Sequence, residues 1–169
     1  MKKEVKRFHF CKKDFYEKLM SEGVIHADDR VSTDNNKYAY KYAFSTPHRL
    51  NNGNGMFFTW KNPLDLGYEI KYSEESNADY VLLEIDIPKE LTIDTDYQNW
   101  CSFILDLYDA DGDVKLANEY CIEDGIVGGI EGSYNAIFDI DNTSAIQTLI
   151  PYIKSKWIKS VKYTKNIIV

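Results

Sequence analysis

Large apolar and polar side chains alternate through "KRFHFC", with Arg7, His9 and Cys11 on one side of an extended backbone and Phe8 and Phe10 on the other. Period two predicts an early strand, and the two phenylalanines are the side expected to face the core. The spacing then becomes helical. Phe15, Leu19 and Met20 fall on one face, Asp14 and Glu17 stand three apart as in a capping box, and Gly23 supplies a stop. "NKYAYKYAFSTPHR" carries both periods, because its tyrosines recur every second residue while Tyr38 with Tyr42 and Ala39 with Ala43 fit a helical face. Asp34 and Asn35 ahead of it are good caps and favour a helix, with Ser45 and Thr46 at its end and Pro47 terminating it. "NNGNG" reads as a turn or loop, "MFFTW" and "YEIKY" as strands, and "SEESNAD" as a solvated acidic loop.

From Tyr80 the apolar signal is stronger. Val81 to Ile87 is interrupted only by Glu84 and Asp86 and is bounded by Pro88, the pattern of a central strand. A second short strand follows, and Asp96 then caps a helix whose Trp100, Phe103, Ile104 and Leu107 form a stripe buried on a sheet. "YDADGDV" turns the chain. It does not fit a calcium loop, because the first ligand position falls on Leu107 and the twelfth on Asn118. "DGIVGGIEGS" has four glycines but neither the lysine of a P-loop nor G-x-G-x-x-G spacing, so it reads as tight turns or a bulge. "YNAIFDI", "AIQTLI" and "WIKSVKYTKNIIV" close the chain as predicted strands, the last two separated by Pro151. Strands outnumber helices without regular alternation. The predicted class is α+β, a mainly antiparallel or mixed sheet with two to three helices in one domain over residues 1–169.

Composition agrees with one core: 169 residues, 44% hydrophobic and 14% aromatic. No apolar run approaches the roughly 20 residues of a membrane span, and "MKKEVKRFHF" lacks a signal-peptide stretch, so a cytoplasmic protein is expected. Cys11, Cys101 and Cys121 are widely spaced, with no C-x-x-C pair to begin a zinc site, and read as free buried thiols. The net charge of -7 hides an asymmetry. Residues 1–18 hold seven basic and three acidic side chains, residues 154–169 hold five lysines and no acid, and the body between them carries -16. If the basic ends formed adjacent strands they would offer a local phosphate-contacting strip, the one route to a nucleic acid; lysines on a terminal edge strand more commonly guard against aggregation.

In order along the chain, "RFHFC" with its helix, "MFFTW", "VLLEIDIPKEL", "DTDYQNWCSFIL" and "IQTLIPYIKSKWIKSVKYTK" resemble an uncharacterised bacterial family, domain of unknown function 3841. His9 and Cys11 depart from that family's Thr and Gln. The resemblance implies a shared skeleton and no activity. A second resemblance concerns chemistry. "FHFCKKDFYEKLMSEGVI", "FSTP" and "LLEIDIP" are similar in order to ADP-ribosyltransferase-like domains, which implies NAD as cofactor and a nucleotide cleft between His9 and the strand before Pro88. His9 would hold the nicotinamide ribose, Tyr42 or Tyr68 would stack on the nicotinamide, Thr46 would line the site, and Glu119 or Glu131 would stabilise the oxocarbenium-like transition state. The R-S-E signature and paired-glutamate motif of such enzymes are missing. A histidine between two phenylalanines is also the ordinary pattern of a partly buried structural residue.

The competing expectation is a binding protein without catalysis. Thirteen tyrosines and an acidic body suit an inhibitor of phage anti-defence or toxin-immunity type that docks on a basic protein partner. No His, Ser or Cys constellation recommends hydrolysis, since His26 and His48 fall in expected loops. A concave polar pocket holding His9 and a tyrosine would favour the first reading, an acidic tyrosine-bearing face the second.

Overall fold

The computed structural model describes residues 3–28, 36–45, 50, 55–67, 70–71, 79–141 and 145–163. Along it run β1 (Glu4–Lys12), α1 (Lys13–Glu22), β2 (Val24–His26), α2 (Lys37–Ala43), β3 (Phe57–Trp60), β4 (Tyr80–Pro88), β5 (Ile93–Asp96), α3 (Tyr97–Asp109), α4 (Val114–Glu123), α5 (Gly129–Ala136), β6 (Ile146–Ile150), β7 (Tyr152–Lys154) and β8 (Ile158–Tyr163). The class is α+β, as the pattern predicts, with five of these α-helices among the described residues where two to three were expected. One sheet has the order β5-β6-β3-β1-β4-β8, and β2 pairs with β7 in a second. The registered pairs are antiparallel. The chain divides into two compact units interleaved in sequence: Met1–His26, Phe57–Ile93 and Ala145–Val169 form the first, Ala27–Met56 and Asp94–Ser144 the second.

In the first unit β1 and β4 are in register over nine residues, with His9 opposite Leu83 and Arg7 opposite Ile85. Val81, Leu83, Ile85 and Ile87 alternate into a core shared with Cys11, Leu19, Ile150, Ile153 and Trp157. That register corrects the sequence reading of β1. The side facing this core is Arg7, His9 and Cys11, all buried, while Phe8 and Phe10 are only partly buried on the other face, where Phe10 stacks on Tyr80 at 5.1 Å. Both alternating sets are bulky, so period alone does not say which faces in. α1 forms where expected, but Lys12 precedes it without a side-chain cap, so the capping box of Asp14 and Glu17 is not made. Leu19 is fully buried and Met20 half exposed, and Gly23 closes the helix in the left-handed region, its N–H donating to the Leu19 carbonyl at 2.9 Å.

The basic terminal strands are not neighbours, because β4 lies between β1 and β8. The acids that interrupt the apolar run of β4 face their lysines: Lys6 Nζ is 2.5 Å from Glu84 and Lys159 Nζ is 3.6 Å from Asp86. The Lys6 hydrogen bond and charge hold the Glu84 carboxyl below its usual range. The condition for a phosphate strip, adjacent basic strands, is therefore not met, and carboxylates stand between the two sets of lysines. β8 is an edge strand, where lysines discourage further pairing.

The second unit is helical with an aromatic core. Asp96 caps α3 by accepting from the Asn99 N–H at 2.8 Å. Of the predicted stripe Trp100, Phe103 and Leu107 are buried and Ile104 is half-buried, and the rings on this face pack against Tyr40 and Tyr42 of α2 and Tyr134 of α5 where a sheet was expected. The Trp100 indole donates to Thr95 Oγ1 at 3.0 Å. Rings of Trp100, Phe103, Tyr42 and Tyr134 meet edge-on or tilted at centroid distances of 5.5–5.9 Å, geometries that favour aromatic pairs. "YNAIFDI" is not a strand: Tyr134 to Ala136 end α5, and the following turn is tied to α3 by Asp96 N–H to Ile137 O at 2.7 Å and Asn99 Nδ2 to Ala136 O at 2.8 Å. Ile70 and Lys71, the described residues of "YEIKY", are helical where that stretch predicts a strand. Asp34, Asn35, Pro47, His48, the acidic run 73–78 and Lys165 lie outside the described residues.

Truncating a fully buried β4 side chain tests the first unit's core. Leu83→Ala should lower stability by about 2–5 kcal/mol in urea denaturation; a loss below about 1 kcal/mol would mean that this core is not formed around β4.

Candidate functional site

His9 sits on β1 with 8% of its surface exposed, so its chemistry is that of a core group. Its Nδ1 is 2.9 Å from the Phe58 carbonyl, which fixes the neutral ring with a proton on that nitrogen. Phe15 and Phe57 approach its edges at 5.6 and 5.7 Å. Burial drives its pKa down to about 4, opposed by the Phe58 hydrogen bond. No cleft separates His9 from β4, since Leu83 is its direct cross-strand partner. The neighbouring Arg7 is buried too, donating from Nε to Thr148 Oγ1 at 2.5 Å and from Nη1 to Lys6 O at 2.8 Å, while Thr59 Oγ1 donates to Thr148 O at 2.9 Å. β1, β3 and β6 thus carry a polar row inside the sheet's packed face, satisfied by its own strands.

Two of the other candidates come together in the second unit. Tyr42 OH donates to Glu131 Oε2 at 2.6 Å, and burial together with that carboxylate pushes the phenol pKa up. Glu131 is exposed at the start of α5; Glu119 is exposed on α4. Thr46 and Tyr68 lie outside the described residues. Cys11 and Cys121 are buried thiols pushed up to about 12, Cys11 by burial and Cys121 by burial reinforced by Asp106, so neither is a thiolate nucleophile near neutrality. Among the described residues no group of histidine, cysteine and carboxylate side chains is placed to hold a metal ion.

A different feature of the second unit emerges from its helices. A surface depression of about 230 Å³ between α3 and α4 is lined by Asp106, Asp109, Tyr120, Glu123 and Asp124. α3 places Asp106 and Asp109 three residues apart on one side, and Asp106 is held by the Ser133 hydroxyl, which donates to it at 2.6 Å. α4 can start immediately after α3 because Asp111 and Gly112 turn the backbone through positive φ and Asp113 then caps the new helix, accepting from Lys115 and Leu116 N–H at 2.9 and 3.1 Å. Four carboxylates and one phenol thus line one depression.

The depression belongs to a larger division of charge. The first unit has fifteen basic and twelve acidic residues, the second five and fifteen, so the chain's -7 separates into +3 and -10. Residues 94–144 hold twelve carboxylates and one lysine, Lys115. That segment count was available from the sequence and is the signal that would have pointed here.

Compared with protein-family models, with curated proteins and with solved structures, the chain matches none. Among the described residues no helix is long and apolar enough to cross a membrane.

The buried imidazole gives stability a pH dependence of definite sign. Because the folded pKa lies below the ordinary 6.5, unfolded chains take up the proton first as pH falls, so the His9 contribution is complete above about 6.5 and lost towards 4. Denaturation midpoints measured from pH 7 to pH 4 should show a loss of about 3 kcal/mol that His9→Leu removes; an unchanged acid limb in the variant would place the titration elsewhere.

Proposed function

We propose that this chain is a cytoplasmic, non-catalytic acidic binding protein whose second unit docks on a basic protein surface, an inhibitor of the anti-defence or toxin-immunity type. The observation that carries this reading is the concentration of twelve carboxylates against one lysine in residues 94–144, four of them gathered with Tyr120 around one depression. Such a face acts at two ranges. Its unbalanced charge draws a cationic partner by long-range attraction and raises the rate of encounter. At contact, Asp109, Glu123 and Asp124 accept hydrogen bonds from lysine or arginine, and the Tyr120 ring offers apolar area and a hydroxyl at little cost in conformational entropy.

The nucleotide reading keeps one supporting observation, the Tyr42–Glu131 hydrogen bond in the second unit. The buried, neutral His9 counts against the role that the ADP-ribosyltransferase-like resemblance gives it, because a core ring packed against Phe15 and Phe57 has no open approach for a ribose.

Fluorescence anisotropy with labelled decalysine separates the two. The protein should bind it in low salt, and the triple variant Asp109→Asn, Glu123→Gln, Asp124→Asn should bind roughly tenfold more weakly, each exposed charge contributing about 0.5 kcal/mol. Absence of decalysine binding, together with a thermal stabilisation by NAD that Glu131→Gln abolishes, would replace the docking reading with a nucleotide site.

A further inference from the structure

Val127 is the most exposed large apolar side chain among the described residues, at 93%, at the tip of the turn joining α4 to α5. Single exposed aliphatics are ordinary on protein surfaces. This one differs in how firmly it is presented. The Ile126 N–H donates to Cys121 O at 2.8 Å, Gly125 N–H to Ile122 O at 3.0 Å, and Gly129 N–H to Ile126 O at 3.0 Å. Gly125, Gly128 and Gly129 all take positive φ, which the turn requires and other residues rarely adopt. Behind it, α5 approaches so closely at Gly132 that an added Cβ would lie 1.9 Å from the Val127 carbonyl oxygen. The ordering cost that a loose loop would meet on binding has been met in folding. Ile122, in the last turn of α4, is also exposed, at 58%, and between the two in sequence stand Glu123 and Asp124.

We propose that the α4–α5 turn is an apolar anchor, Val127 and Ile122 entering an apolar pocket on a basic protein partner whose lysines and arginines meet Glu123 and Asp124. Charge complementarity selects that occupant: with twelve carboxylates and one lysine in residues 94–144, the apolar tip is surrounded by a segment that repels acidic surfaces and nucleic acid. The proposal rests on the docking reading and extends it. Carboxylates supply attraction to any polycation, and the anchor supplies preference among polycations.

Two labelled peptides of equal charge test it, decalysine and a peptide with ten lysines interspersed with leucine. The wild-type chain should prefer the leucine-containing peptide by about tenfold, the scale of burying one aliphatic side chain. Val127→Ser and Ile122→Ser should each reduce that preference to about threefold while leaving decalysine affinity and the thermal midpoint unchanged, since both positions are exposed. Retention of the full preference in both variants overturns the anchor while the docking reading stands. Loss of decalysine binding in the wild type overturns the docking reading and the anchor with it. Sedimentation of the wild type completes the test: a dimer that Val127→Ser dissociates would make a second copy the occupant and overturn the assignment to a basic partner.

Discussion

Nine consecutive pairs hold β1 to β4, from Glu4 opposite Pro88 to Lys12 opposite Tyr80, and the first unit depends on that register. A slip of one residue would exchange the faces of β1 and move Phe8 and Phe10 to the side now taken by Arg7, His9 and Cys11. The present register looks unfavourable by hydrophobicity alone. It holds because the polar members have partners in place: the Phe58 carbonyl for the imidazole, and Lys6 O and Thr148 for the guanidinium. β3 must lie beside β1, and β6 beside β3, for those bonds to exist, so strand order and register specify one another. A polar group that is satisfied only in one arrangement excludes the others more sharply than interchangeable apolar contacts do.

The same logic explains which elements could be read from sequence. α3 was legible because three signals agree on it: the Asp96 cap, the stripe of Trp100, Phe103 and Leu107, and sufficient length. β4 was legible from its apolar density, although its two acids read as interruptions until Lys6 and Lys159 were seen opposite them. "YNAIFDI" misled because Tyr, Ile and Phe favour strands mainly as residues that fit a half-buried surface; the aromatic core of a helical unit buries Tyr134 equally well. The predicted faces of β1 were reversed for want of tertiary partners. The acidic depression was illegible in another way. Asp106 and Asp109 reach Glu123 and Asp124 only because Asp111, Gly112 and Asp113 reverse the chain between two helices, and local pattern does not say where the second helix returns.

Separation of charge between the units also has a physical cost. Twelve carboxylates within 51 residues repel one another, and one lysine offsets little of that repulsion. The unit places many of its acids where solvent and backbone dipoles soften the effect, as with Asp96 and Asp113 at the N-termini of α3 and α4. Its buried aromatic rings supply cohesion that does not depend on charge, so the acidic surface can be carried without a compensating basic one.

Interleaving of the two units sets an order of events during synthesis. Arg7 and Thr148 are 141 positions apart, so the sheet of the first unit cannot be completed until the whole of residues 94–144 has left the ribosome. β4 is made long before β8 and waits with one edge open, the condition in which a nascent strand recruits strands from other chains. Glu84 and Asp86 lie along that waiting strand. Until Lys159 is translated, Asp86 stands as a gatekeeper charge, and the ion pair that later joins β4 to β8 begins as protection for an unfinished sheet.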